Sequence, residues 1–370
     1  MYLGSPLSFV VAVVQNSAKY AAGGVLVYDV SSVTLIDCTI ADNTTGGVSA
    51  GVSCCYGSSV TMTNCTIANN TAEGSGGGVG CGYSSSVTMT NCTVRANTAV
   101  EGIGGGLLCG VDNASITMTS CTIAANNSGE WSGGGVACLH NASVTASQCI
   151  ITGNTARDGG GGIMIYDQSS ATVSNCTIAL NRSFVVGGGG IWCGNNNSSV
   201  KVTNSIIWDN TDPTGSEVSL GPGATFDISH SNINGGQTGI NVGASTLNWG
   251  AGNIDADPCF IDPTNDNFHL KSQAGRWDSD SQTWIQDDVT SPCIDAGDPM
   301  SPIGLESFPN GGFVNMGPYG GTSKASKSYF GEPICETIFA GDINGDGQVD
   351  RADLEIMALH WTDDVPLPLP

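Results

Sequence analysis

From Val33 onward the chain alternates apolar and polar residues in short runs that recur. Val33, Val60, Val87, Ile116, Val144, Ala171 and Val200 hold one position of the run. Two residues on come Leu35, Met62, Met89, Met118, Ala146, Val173 and Val202. Between them stand Thr34, Thr61, Thr88, Thr117, Thr145, Thr172 and Lys201. Successive side chains of a strand point to opposite faces, so a period of two predicts strands with the apolar set buried and the threonines outside. No stretch of the repeat carries the 3.6-residue pattern of an amphipathic helix.

The recurrence is itself periodic. Cys38, Cys65, Cys92, Cys121, Cys149 and Cys176 form one column, continued by Ser205, with steps of 27, 27, 29, 28, 27 and 29 residues. A second column runs Val27, Cys54, Cys81, Cys109, Cys138, Ile165 and Cys193. Five residues after each member of the first column comes an asparagine, from Asn43 to Asn210. Stepping back 27 residues from Asn43 gives Asn16, so the opening apolar run reads as another coil and the chain is expected to begin part-way through one. A fixed period in this range marks a solenoid. An all-strand coil of this length predicts a parallel β-helix with about three short strands per turn. Eight coils stacked at about 4.8 Å make a rod about 40 Å long. Asparagines stacked in register can satisfy one another's amides. The glycine runs at 76–78, 104–106, 133–135 and 188–190 supply corners where a Cβ would clash.

Residues 8–235 resemble the right-handed β-helix families of the pectin-lyase type. More narrowly, Gly-Gly-Gly-Val and Ile-x-x-Asn, as in Ile67 and Asn70 or Ile178 and Asn181, resemble the short repeats of polymorphic outer-membrane adhesins. The resemblance implies an all-β, right-handed parallel β-helix, an architecture that hosts many activities.

The two cysteine columns fall at inward positions, where small thiols pack as hydrophobes. In-register parallel Cβ vectors suit a disulfide poorly, and no Cys-x-x-Cys pair suggests zinc. Cys259 and Cys293 lie in a loop-rich segment where a bridge stays open. Asp and Glu number 33 against 10 Lys and Arg, a net charge of −23. Such a chain repels polyanions, so nucleic acid is not an expected partner. No apolar run reaches the roughly 18 residues of a membrane span. The expected setting is extracellular or the cell surface.

The repeat divides the chain. Residues 1–249 read as the β-helix, truncated at its N-terminal side. Residues 250–333, rich in Asp and Pro, read as an irregular cap over the last open coil. They resemble a segment of bacterial secreted β-helix proteins that carries Asp-Pro-x-Phe, Ser-Pro-Cys-Ile-Asp-Ala-Gly and a Met-Gly-x-Tyr-Gly-Gly close. Residues 334–370 hold the sharpest motif. Asp342, Asn344, Asp346, Gln348, Asp350 and Asp353 fall at positions 1, 3, 5, 7, 9 and 12 of a calcium loop, with Gly347 at the sharp turn. Leu354, Met357 and Trp361 then share one face of a predicted helix, an EF-hand-like loop-helix. The segment resembles one type I dockerin repeat, which implies calcium as cofactor and a cohesin-like partner; a dockerin has two such repeats and this chain has one.

Catalytic signals are sparse. Glycoside hydrolysis needs paired carboxylates about 5–10 Å apart, which on a solenoid means acids on neighbouring coils. The outward threonine column holds only Lys201, and Arg157 and Asp158 adjoin in one loop with no partner on equivalent coils. Asp227, His230 and Lys271 near the irregular end are the remaining candidates. Outward Thr-x-Thr pairs such as Thr61 and Thr63 resemble the faces of β-helical ice-binding proteins. The sequence therefore reads first as a non-catalytic surface or adhesin-like scaffold touching glycan through Tyr56, Tyr83, Trp131 and Trp192. The alternatives are a polysaccharide lyase or glycoside hydrolase and, more remotely, an ice-binding protein.

Overall fold

The computed structural model describes residues 8–9, 11–185 and 187–328; the expected calcium loop at 342–353 lies outside them. The described chain is a right-handed parallel β-helix. A representative coil runs through Ser59–Thr63, Thr66–Ala68, Thr71–Ala72 and Val79–Gly82, and each strand pairs in parallel with its equivalent one coil on. Stacking yields four sheets. We name them the hydroxyl sheet (ten strands), the isoleucine sheet (nine), the short sheet (seven) and the cysteine sheet (nine). The two-residue strands of the short sheet make four strands per turn where three were expected. Among the described residues the helical elements are two 3-10 turns, Gly236–Gly239 and Pro263–Asn265. No described helix is long and apolar enough to cross a membrane.

Corners are made by residues in the left-handed region. Asn64 (φ 54°), Asn69 (φ 55°), Gly76 (φ 74°) and Tyr83 (φ 56°) turn one coil. Turning the chain leaves backbone N–H groups without a ladder partner, and a buried orphan is costly. Side-chain ladders supply the acceptors. At one corner Asn70 donates through N (3.0 Å) and Nδ2 (2.9 Å) to Oδ1 of Asn97 on the next coil, and through Nδ2 (2.9 Å) to Ile40 O on the coil before. The same bonds repeat up to Asn210.

The first cysteine column does this work at a second corner. Cys65 N donates to Cys92 Sγ and Cys92 N to Cys121 Sγ, both at 3.4 Å. Where the column changes to serine, Cys176 N donates to Ser205 Oγ and Ser205 N to Ser231 Oγ, both at 3.1 Å. Serines alone serve a third corner, where Ser31 N and Ser58 N donate to Ser58 Oγ and Ser85 Oγ. The cysteines are therefore acceptors as well as packing atoms, and no disulfide joins the described cysteines, Cys259 and Cys293 included. Burial pushes the Cys193 thiol up to about 12.

The glycine corner packs against the asparagines. A Cβ on Gly106 would stand 2.6 Å from Gly135 O and 3.0 Å from the Asn126 side chain, so only glycine fits.

The last strand of the hydroxyl sheet is Thr246–Trp249, whose Leu247 and Trp249 pack on the end of the core. Just beyond it, residues 251–254 run on along the last coil, where Ile254 bridges Asn232 and Ser231 N donates to Asn253 Oδ1 (3.1 Å). The segment expected from sequence to cap the open coil also makes contacts along the flank of the isoleucine sheet. Asp298 N donates to Asn204 Oδ1 (2.7 Å), Asn175 Nδ2 to Asn315 O (3.2 Å) and Gln148 Nε2 to Gly320 O (3.2 Å). Outward positions that are threonine in early coils become Ile150 and Ile206 here, and Trp208 replaces alanine. Ile206 and Trp208 pack with Leu270, Cys293 and Met316. The cap is thus seated by an apolar footprint on the side of the rod.

Candidate functional site

The four aromatic residues expected to touch glycan fall in different places. Tyr56 and Tyr83 stand at the corner that follows the cysteine sheet. Their rings stack at 4.5 Å with 4° between planes, and Tyr28 joins at 4.7 Å. The face that Tyr56 and Tyr83 share is thereby closed to a ligand. Trp192 points outward from the cysteine sheet, four coils from Tyr83 and so about 19 Å along the rod. It stacks on Tyr166 at 5.9 Å, and the Gly159 backbone covers its indole closely enough that a Cβ there would stand 2.7 Å from Cγ. Trp131 is 56% exposed, in a loop before Val136–Leu139. The four do not form one platform.

The ionisable groups divide differently. Thr225–Ser229 places Asp227 at the central outward position of the hydroxyl sheet, in register between Lys201 and Asn248. Asn248 Nδ2 donates to Asp227 Oδ1 at 2.5 Å. Around them lies a cleft of about 490 Å³ lined by Lys201, Asp227, Ser229, Leu247, Asn248 and Trp249. It joins a cation, a carboxylate, an amide and an indole within three coils. That mixture suits a polar ligand with one apolar face. Asp227 is the sole carboxylate among the described residues lining it, so the acid pair of glycoside hydrolysis is not assembled there. Of the other sequence candidates, His230 lies against Gly252, its Nδ1 buried with no partner among the described residues, and Lys271 belongs to the flanking segment, where its N donates to Cys259 O. Neither lines the cleft.

From this cleft the hydroxyl sheet runs toward the N-terminal end as three outward columns. Ser59, Thr61 and Thr63 pair in register with Ser86, Thr88 and Thr90, then Ser115, Thr117 and Thr119. Thr61, Thr88, Thr117, Thr145 and Thr172 are exposed, so the face is open.

Two ionic contacts between neighbouring coils escaped the sequence reading. His140 Nδ1 and Asp167 Oδ2 meet at 2.6 Å on neighbouring coils, in the column of Tyr83. The His140 bond first, and Asn196 after it, hold the Asp167 carboxyl below the usual carboxylate range. Arg157, expected to lack a partner on equivalent coils, pairs with Glu130 at 2.6 Å. Both pairs span 27 residues, the coil period. Among the described residues no group of three or more His, Cys, Asp or Glu is placed to hold a metal ion.

With this geometry in place the comparisons with known proteins add two findings. Residues 8–178 match the family model of the right-handed beta helix region. Residues 152–297 match the model described as disaggregatase related, which spans the last coils, the whole cleft and much of the flanking segment. No curated protein and no solved structure matches the chain.

Proposed function

We propose that the protein is a rigid extracellular or cell-surface scaffold of adhesin-like character that holds glycan along its hydroxyl sheet, with the Lys201–Asp227–Asn248 cleft as the principal contact. The observation that carries this reading is the cleft itself, where charged, amide and indole groups meet on an otherwise hydroxyl face. The net charge of −23 disfavours an acidic chain and favours a neutral polysaccharide. Residues 334–370 serve as a calcium-binding tail, with Asp342, Asn344, Asp346, Gln348, Asp350 and Asp353 supplying oxygen ligands and a cohesin-like module as the partner its dockerin resemblance implies.

A second reading, a depolymerising lyase or hydrolase, is favoured by the disaggregatase-related match, because that match includes the cleft. One experiment separates the two. Affinity electrophoresis through gels of neutral and acidic polysaccharides, with reducing-end and unsaturated-product assays on the same panel, should give retardation by a neutral polymer and no turnover. Turnover sensitive to Asp227→Asn would establish the enzyme instead. Migration unchanged by every polymer would reject glycan binding.

A further inference from the structure

The flanking segment carries an apolar surface that neither the fold nor the cleft uses. Met300 is 90% exposed, Leu305 72%, Phe308 64% and Phe313 43%. Three of these are among the five most exposed large hydrophobic residues of the described chain. Large apolar groups gathered in one exposed segment mark an interaction surface.

The loop is held firmly while its side chains face out. Glu306 is buried within it and accepts from Asn315 N and Gly321 N, both at 2.8 Å. Leu305 N donates to Gly321 O at 2.9 Å, and Val314 is buried. Such a surface is prepared before its partner arrives, which lowers the cost of binding.

The occupant is indicated by where the chain goes. Ser328 N donates to Pro309 O at 3.2 Å, so the described chain leaves from beside Phe308. The next 42 residues include Leu354, Met357 and Trp361, at spacings of three and four. A tether starting at the patch gives this segment a local concentration in the millimolar range, which a separate copy in dilute solution does not reach. The segment is acidic, and Lys324 and Lys327 precede it.

We propose that the apolar loop at 300–313 is the docking surface for the chain's own C-terminal segment, engaged through Leu354, Met357 and Trp361. Calcium in the 342–353 loop offsets the segment's repulsion from a chain of net charge −23, so docking tightens when calcium binds. The calcium dependence rests on the calcium-tail reading above; the docking itself does not.

Hydroxyl-radical footprinting of the full chain tests this, read at Met300 and Phe308 by mass spectrometry, with calcium uptake followed in parallel by calorimetry. The wild type with saturating calcium should be modified at least fivefold more slowly at both residues than the Leu354→Ser, Met357→Ser, Trp361→Ser triple variant. Equal rates with calcium uptake intact overturn the docking and leave the calcium reading standing. Slower modification without calcium uptake supports docking and overturns its calcium dependence. Protection that disappears on dilution of the protein overturns the proposal in favour of a second copy as occupant. Leu305→Ser with Phe308→Ser, on the exposed side of the loop, should leave calcium uptake unchanged and make the Trp361 ring at least fivefold more reactive; no change at Trp361 likewise overturns it.

Discussion

Glu217 stands where the asparagine ladder runs out. Asn210 has no asparagine at the equivalent position of the next coil, where Gly236 stands, and the Glu217 carboxyl takes its place, accepting from Asn210 N at 3.0 Å and Nδ2 at 2.7 Å. Burial pushes this carboxyl up to about 7, against the two Asn210 bonds, which favour the charged form. A carboxyl with a raised native value binds its proton more tightly when folded. Its contribution is therefore fully present below about pH 4.5 and is lost as pH rises through about 7. Glu306, raised to about 7 by burial, acts in the same sense. Urea titrations from pH 5 to pH 8 should show the wild type losing about 2–3 kcal/mol for Glu217 alone. Glu217→Gln keeps the acceptor without the charge and should remove that part of the slope; an unchanged slope would count against the ladder terminus. The cysteines allow a second test at this scale. Cys121→Ala leaves Cys92 N without its acceptor and should cost about 1–3 kcal/mol more than Cys121→Ser, because an unsatisfied buried donor carries its full desolvation penalty. Denaturation midpoints of the two variants check this, and equal midpoints would return the column to pure packing.

Among the elements, the glycine corner tolerates little change. Gly106→Ala drives a Cβ against Gly135 O and the Asn126 side chain, neither of which is the far end of a flexible group. The expected cost is about 1–3 kcal/mol by overpacking, read from thermal unfolding; a neutral result would mean the corner can open. How far such elements were legible follows from their length. Five-residue strands with strict alternation, such as Ser59–Thr63 and Ser86–Thr90, declare both face and register. Two-residue strands such as Thr71–Ala72 carry no period, so the short sheet was invisible. The cysteines were placed in the right columns but given only a packing role. The exchange of cysteine for serine at Ser205 and Ser231 was the signal for acceptor chemistry, since packing alone does not select a hydroxyl. The flank contact was missed, although Ile150 and Ile206, which interrupt an outward threonine column, were its signal. Asn248 was missed because it follows Asp227 by 21 residues, short of the coil period, although register pairs them.

At the scale of the whole molecule, a stiff four-sided rod divides its tasks among its sides. The isoleucine sheet receives the flanking segment, the tyrosine corner stacks on itself, and the hydroxyl sheet remains open with the cleft at its end. On the proposed function, this end binds neutral glycan. Lys201 is exposed, and Asn248 touches Asp227 without entering the core, so replacing both leaves the packing untouched. The most direct measurement is the affinity of Lys201→Ala, Asn248→Ala for the retarding polysaccharide, with thermal unfolding alongside. The affinity should be at least tenfold weaker, a loss of about 1.4 kcal/mol, with the unfolding temperature unchanged. Wild-type affinity in that variant would contradict the proposed function of this end and move the glycan contact elsewhere on the rod.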